Sequence, residues 1–382
     1  MMSARFLTVV LERAFNMRDG FGREIDYMRI SVIDSCNLNC YYCNPCDNNE
    51  HCHALNILSV KEVLCIVRAA TKLGIKHFRL TGGEPLLHPQ LDEMVLQIKQ
   101  VSGVSSVSLT TNAVLLAQHA KRLKEAGIDS INVSLDTIDA SEYERITKKP
   151  LLEEVKHGID AAIECGIRVK INVVLTPQTD VVALTRYAAK KGTDIRFIEM
   201  MPVGEGHTNG VEPYKKVIGT LSKLYGEPCR INTEKTKEIN SGCNKYKEER
   251  QAQESMQVYE GRKNLDNGPA EYYIFPELGI RVGLIQAIHG KFCDTCNRIR
   301  VTADGRLMPC LGSSVTMDLV PDSCDNTDDV ENDLVIAQAL GAAIEAKPRC
   351  HNFNDNTVAY TKATETKAAE VNAARNMSRI GG

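Results

Sequence analysis

The chain has 382 residues, 43% hydrophobic and 25% charged, an ordinary soluble composition with enough length for roughly two domains or one enlarged barrel. Lys and Arg total 46 against 49 Asp and Glu, and the resulting net charge of -3 argues against wholesale binding to nucleic acid or to a membrane surface. No apolar run reaches the ~18 residues of a membrane span, and the run at 6–11 is too short for a secretion signal, so a cytoplasmic location is expected.

Strand and helix patterns alternate between residues 27 and 200. Strands are predicted at 27–32, 77–80, 106–109, 130–135, 168–175 and 194–199, most of them short and rich in Val, Ile and Leu, as buried parallel strands are. Ser59 with Glu62 forms a capping box ahead of Val63, Ile66 and Val67. Gly74, Gly127, Gly166 and Gly192 each stand where a left-handed helix C-cap belongs.

Chemically unusual residues follow nearly every strand. Cys36 comes after the first, Thr81-Gly82-Gly83-Glu84-Pro85 after the second and Thr110-Thr111-Asn112 after the third. Ser134-Leu135-Asp136 ends the fourth, and Met200-Met201-Pro202 follows the sixth. A doubly wound sheet gathers such residues at one switch point, whereas a barrel sets them around the C-terminal rim of its strands. The predicted fold is therefore α/β: a partial (β/α)6 TIM-like barrel over 20–232, with a C-terminal extension over 233–382. Within the extension, 232–257 is a polar, Lys/Glu-rich surface excursion, and 271–274 and 279–285 are strands. Residues 322–333 hold six acids in twelve positions without the EF-hand spacing, so a solvated loop is expected there, followed by a helix over 334–346.

The 14 cysteines favour metal ligation over a disulfide framework in a chain without a secretion signal. Cys36-x3-Cys40-x2-Cys43 supplies three thiolates just beyond a strand end. Iron–sulfur clusters usually take four cysteines, so three leave one iron open to a ligand. Cys46 is a conceivable fourth, and zinc competes, although structural zinc sites favour paired C-x2-C units. Cys293-x2-Cys296-x13-Cys310 is again a set of three, with Cys324 and Cys350 as conceivable fourth ligands for zinc. Arg298 and Arg300 alternate behind Cys296, so in a strand both face one side, an arrangement suited to phosphate or carboxylate. The scattered remainder, Cys65, Cys165 and Cys229 among them, read as small apolar fillers or idle thiols.

Cys36-Asn37-Leu38-Asn39-Cys40-Tyr41-Tyr42-Cys43 resembles the C-x3-C-x-aromatic-C signature of radical S-adenosylmethionine (SAM) enzymes, and Thr81-Gly82-Gly83-Glu84-Pro85 resembles their glycine motif. The second cysteine set narrows the likeness. So do Phe21-Gly22-Arg23, Tyr27-Met28-Arg29-Ile30-Ser31, Asn132-Val133-Ser134-Leu135-Asp136, Arg196-Phe197-Ile198-Glu199 and the terminal Arg379-Ile380-Gly381-Gly382. Together they are similar, nearly end to end, to the GTP 3′,8-cyclases of molybdenum-cofactor biosynthesis. Asn44, where that family generally has Met, is a departure, and Cys46, His51, Cys52 and His53 beyond it are potential traps for adventitious metal.

The resemblance implies a lyase with two [4Fe-4S] clusters. Cys36, Cys40 and Cys43 would hold the cluster that chelates and cleaves SAM, and Cys293, Cys296 and Cys310 the cluster that binds the purine of GTP. SAM contacts fall on Tyr42, Gly83, Ser134 and Met201. GTP contacts fall on Arg29, Arg79, Thr110, Lys170, Arg298, Ile299 and Arg300. Gly381 and Gly382 would enter the active site as a catalytic tail. The implied product is (8S)-3′,8-cyclo-7,8-dihydroguanosine 5′-triphosphate, the first intermediate of molybdopterin formation. An external electron donor and, by pathway, a cyclic pyranopterin monophosphate synthase are the expected partners, with the chain a monomer or homodimer and no nucleic-acid or membrane partner. Two readings compete: a radical SAM peptide-modifying enzyme with an auxiliary cluster, and a non-catalytic, zinc-stabilised nucleotide-binding protein.

Overall fold

Strands and helices alternate as β1 (Tyr27–Ser31), α1 (Val60–Lys72), β2 (His77–Thr81), α2 (Leu91–Gln100), β3 (Ser106–Thr111), α3 (Leu116–Glu125) and β4 (Ser130–Ser134). They continue as α4 (Ala140–Thr147), α5 (Leu152–Glu164), β5 (Arg168–Val174), α6 (Val181–Lys190) and β6 (Asp194–Ile198). Beyond them lie α7 (Gly219–Tyr225), β7 (Cys229–Ile231), β8 (Glu271–Ile274), β9 (Arg281–Ile285), β10 (Arg298–Val301), β11 (Arg306–Met308), β12 (Met317–Asp318) and α8 (Val330–Glu345). This computed structural model describes residues 17–43, 56–203, 211–231, 268–313, 316–319, 330–351 and 353. The polar segment 232–257, the residues Cys46, His51, Cys52, His53 and Cys324, and the Gly381-Gly382 tail lie outside them.

All described strands join one sheet in the order β12-β11-β10-β1-β2-β3-β4-β5-β6-β9-β8-β7. From β1 to β6 the order follows the chain without reversal, and every neighbouring pair is parallel. That is the topology of a barrel wall and not of a doubly wound sheet. The wall is longer than six strands. β10 adds parallel to β1 and β9 adds parallel to β6, so the C-terminal segment supplies both flanks of an open arc. Among the described residues, no helix is long and apolar enough to cross a membrane.

The strands are not the continuous apolar runs that their Val, Ile and Leu content implies. Met28 and Ile30, Phe78 and Leu80, Ile131 and Val133, and Ile195 and Phe197 are fully buried in the core beneath the helices. Their alternate neighbours face the other way, and the cavity inside the arc is lined by Tyr27, Arg29, Arg79, Thr110, Ser134, Asn172, Arg196, Arg298 and Arg300. The period of two is real because the lumen is polar. A usual barrel interior is packed with branched apolar side chains.

Local signals hold where the chemistry is local. Ser59 Oγ accepts from the Glu62 amide at 3.3 Å while Glu62 Oε2 accepts from the Ser59 amide at 2.7 Å. Gly74, Gly127, Gly166 and Gly192 close their helices with positive φ. Two expectations change. The last helix begins at Val330, four residues early, and its Asp333 is not part of a solvated loop: it is 6% exposed and binds Lys72 at 2.9 Å and Arg68 at 3.3 Å on α1. Cys229 is disulfide-bonded and so not an idle thiol.

Candidate active site

The first cysteine set lies on the loop after β1, and that loop is fastened at two places. The amides of Asn39 and Tyr41 donate to the carbonyls of Thr147 and Ile146 at 3.0 and 3.2 Å, at the end of α4. On the other side, the Gly83 amide donates to Ile33 O and the Glu84 amide to Ser35 O, both at 2.7 Å. Gly82 and Gly83 permit this approach: a Cβ on Gly83 would stand 2.1 Å from Ser35 O.

Three side chains extend the fastening. Glu84, 1% exposed, accepts from Thr111 Oγ1 at 2.6 Å and from the Asn112 amide at 2.7 Å, joining the glycine loop to the end of β3. Asn112 Nδ2 in turn donates to Asn37 Oδ1 at 2.7 Å and stands 3.8 Å from Cys36 Sγ. The Tyr42 hydroxyl donates to Asp136, whose other oxygen accepts from the Val174 amide at 2.8 Å. Burial pushes Glu84 up to about 7 and Asp136 up to about 6, in spite of the donors each one has.

These acids face the thiols. Burial, and then Glu84, raises Cys36 to about 11; burial, and then Cys36 and Asp136, pushes Cys43 up to about 12. Burial and the neighbouring Cys43 hold Cys40 well above the usual range. Cys40 and Cys43 each feel a neighbouring thiol as well as an acid, and the three become thiolates together only against a strong positive centre. The donor set, with an amide N–H beside one sulfur, fits a cluster liganded by three cysteines.

The second set has the opposite surroundings. Burial alone would raise Cys296, but Arg298 and then Lys347 outweigh it and bring the thiol down to about 7. Burial raises Cys293. The Arg298 guanidinium lies 4.9 Å from the Phe292 ring centre, and Arg29 stands in register between Arg300 and Arg79 on adjacent strands. Burial and then Arg298 lower Arg300 to about 10; burial, then Arg300 and Arg79, hold Arg29 well below its ordinary value. Like charges gathered in a low-dielectric lumen call for an anion.

Both sets open on one cavity of about 310 Å³, lined by all six cysteines. Tyr42, Gly83, Ser134, Met201, Arg29, Arg79, Thr110, Arg298 and Arg300 also line it. Lys170 and Ile299 do not. Lys170 is 3% exposed on the inward row below, in register with Asn132 and Asp194. Ile299 points outward into the core, because it alternates with two arginines that point in. Gly381 and Gly382 are outside the described residues. Sequence reasoning did not anticipate the contacts of Glu84, Asn112 and Asp136, although all three stand in strand-end motifs. Arg23 and Lys347 were also missed: one lay inside Phe21-Gly22-Arg23, and Lys347 had no motif at all.

Comparison with known proteins agrees with this geometry. Residues 30–185 match the Radical SAM superfamily and residues 227–353 match Molybdenum Cofactor Synthesis C. A GTP 3′,8-cyclase from Clostridium perfringens is 33% identical over 340 residues, covering 88% of this chain and 95% of that one. The chain belongs to the GTP 3′,8-cyclase family. Other members include those of Pelotomaculum thermopropionicum, 34% identical with 88% of this chain and 95% of that one covered, and Listeria monocytogenes, 32% identical with 96% and 99% covered. Streptococcus suis SuiB bound to S-adenosylmethionine shares the fold, with a TM-score of 0.51 and 14% identity over 90% of this chain and 71% of that one. Membership of the cyclase family sets aside the peptide-modifying and zinc-scaffold readings.

Proposed function

We propose that this chain converts GTP to (8S)-3′,8-cyclo-7,8-dihydroguanosine 5′-triphosphate, with one [4Fe-4S] cluster on Cys36, Cys40 and Cys43 and a second on Cys293, Cys296 and Cys310. The observation that carries the reading is the single cavity onto which both three-thiol sets and a row of arginines open. When bound, the first cluster and SAM supply a hydrogen-abstracting radical. The chain's own residues do the rest. Gly83 offers backbone to SAM at close range, and Ser134 and Tyr42 flank it. Arg29, Arg79, Arg298 and Arg300 take the triphosphate, with Thr110 among them and Lys170 beneath. The catalytic tail, Gly381-Gly382, enters beside the substrate. We take 20–232 as the radical SAM core and 233–382 as the substrate-cluster domain. An external one-electron donor is required. Anaerobic incubation with SAM, GTP and dithionite tests the reading: SAM cleavage with no cyclised nucleotide would overturn it.

Two further results are expected. Arg298→Ala weakens GTP binding by ~1.5–3 kcal/mol, the range for a charge-assisted hydrogen bond, while SAM cleavage persists. Calorimetric titration with GTP checks this, and loss of SAM binding instead would refute the two-site arrangement. Deletion of Gly381 and Gly382 leaves the melting temperature unchanged, since almost no apolar area goes with them, and both clusters assemble. Cyclisation nevertheless disappears. Full cyclase activity in that truncation would show the tail to be a passive terminus.

A further inference from the structure

Among the buried cations that the mechanism above leaves unused, two sit at the second thiol set. Lys347, 2% exposed just beyond α8, donates from Nζ to Arg298 O at 2.8 Å and to Pro309 O at 2.7 Å. The first carbonyl lies two residues after Cys296 and the second lies one residue before Cys310. Arg23, 8% exposed, ties in the third segment: it donates to Cys293 O at 2.7 Å and to Pro348 O and Arg349 O at 2.7 and 2.9 Å. All three cysteine-bearing segments are therefore bound to residues 347–349 through a buried positive side chain. The two cations differ in one respect. Asp19 neutralises Arg23 at 2.6 Å, whereas among the described residues no carboxylate pairs with Lys347. Burial lowers Lys347 from its ordinary value, and the groups that oppose that fall are Cys296 and Cys310, which favour the ammonium when they are thiolates.

We propose that Lys347 is a positioning residue for the second cluster, holding the Cys296 and Cys310 segments by their carbonyls and raising the cluster's reduction potential with its buried charge. This rests on the reading of Cys293, Cys296 and Cys310 as cluster ligands. A cation fixed in a low-dielectric site stabilises the electron that reduction adds, and local charge is one of the established controls of cluster potential.

The test uses full-length protein in which Cys36, Cys40 and Cys43 are all alanine, so that only the second set can load iron. It is reconstituted anaerobically and titrated with dithionite while the reduced cluster is followed by electron paramagnetic resonance. Lys347→Gln keeps a side-chain NH2 for the two carbonyls and removes the charge, and Lys347→Arg keeps the charge. In the Gln variant iron is retained, and the reduced-to-oxidised ratio at the parent's midpoint falls at least tenfold, about 59 mV for one electron. The Arg variant stays within threefold of the parent. Iron lost from Gln but kept by Arg supports the charge role more strongly. Equal potentials in all three proteins, or iron lost from both variants, overturn it. A parent that binds no iron fails differently: it removes the second cluster itself.

Discussion

Cys40→Ala abolishes SAM cleavage, by more than the ~100-fold that loss of an outer-shell partner alone can cost, while the second cluster still assembles. The loop survives the change. Its neighbours Asn39 and Tyr41 keep their amides on the carbonyls of Thr147 and Ile146, and the Cys43 amide still reaches the residue-40 carbonyl at 2.9 Å. What is lost is one of the three sulfurs that this loop presents to the cavity, while the main-chain bonds that fasten the loop do not involve it. The second set has its own supports in Arg23 and Lys347. Iron and sulfide counts therefore fall to roughly half. Counts near zero would show that the two sets do not load independently.

Gly83→Ala is expected to be nearly as severe without touching a cysteine. Its Cβ would fall 2.1 Å from Ser35 O, 2.4 Å from Ser35 C and 2.6 Å from Asp34 O. These are backbone atoms, and they cannot swing aside. Relief requires breaking the bonds from Gly83 to Ile33 and from Glu84 to Ser35, which lie immediately ahead of Cys36. Overpacking of this kind costs ~1–3 kcal/mol of stability, and here the displacement passes directly to a cluster ligand. SAM binding and first-cluster iron both decline, with the second cluster intact. Gly192→Ala is the control. Gly192 has φ of +64° with nothing within 4 Å of the added methyl, so it loses stability without losing SAM. Wild-type SAM affinity in Gly83→Ala would refute the account.

The parts of this molecule that were legible in the sequence are those whose cause is local. The capping box of α1 and the cysteine spacings each need only a few consecutive residues. The rim position of the site followed because every strand-end motif marks the same edge of a parallel sheet. The polar lumen was harder to read. Arg29 and Arg79 look like isolated charges until register sets them beside Arg300 across three strands, one of which lies some 270 residues away in the chain. Acidic neighbours in the sequence give Asp333 the look of a solvated residue, and only the docking of α8 on α1 supplies Arg68 and Lys72. Lys347 is the extreme case, since its partners are main-chain carbonyls, which no side-chain pattern encodes.

The pairing of β10 with β1 has a consequence for how the molecule is made. β1 is synthesised some 270 residues before β10, so one flank of β1 waits for that length of chain before its N–H and C=O groups find partners. Contacts of such sequence separation form slowly. Until they form, β1 is an open template for another chain to add to, with Met28 and Ile30 already committed to the apolar face. A chain arrested before residue 298 is therefore expected to enter aggregates and not to persist as a soluble fragment, and nascent copies are most exposed to one another in the interval before β10 docks.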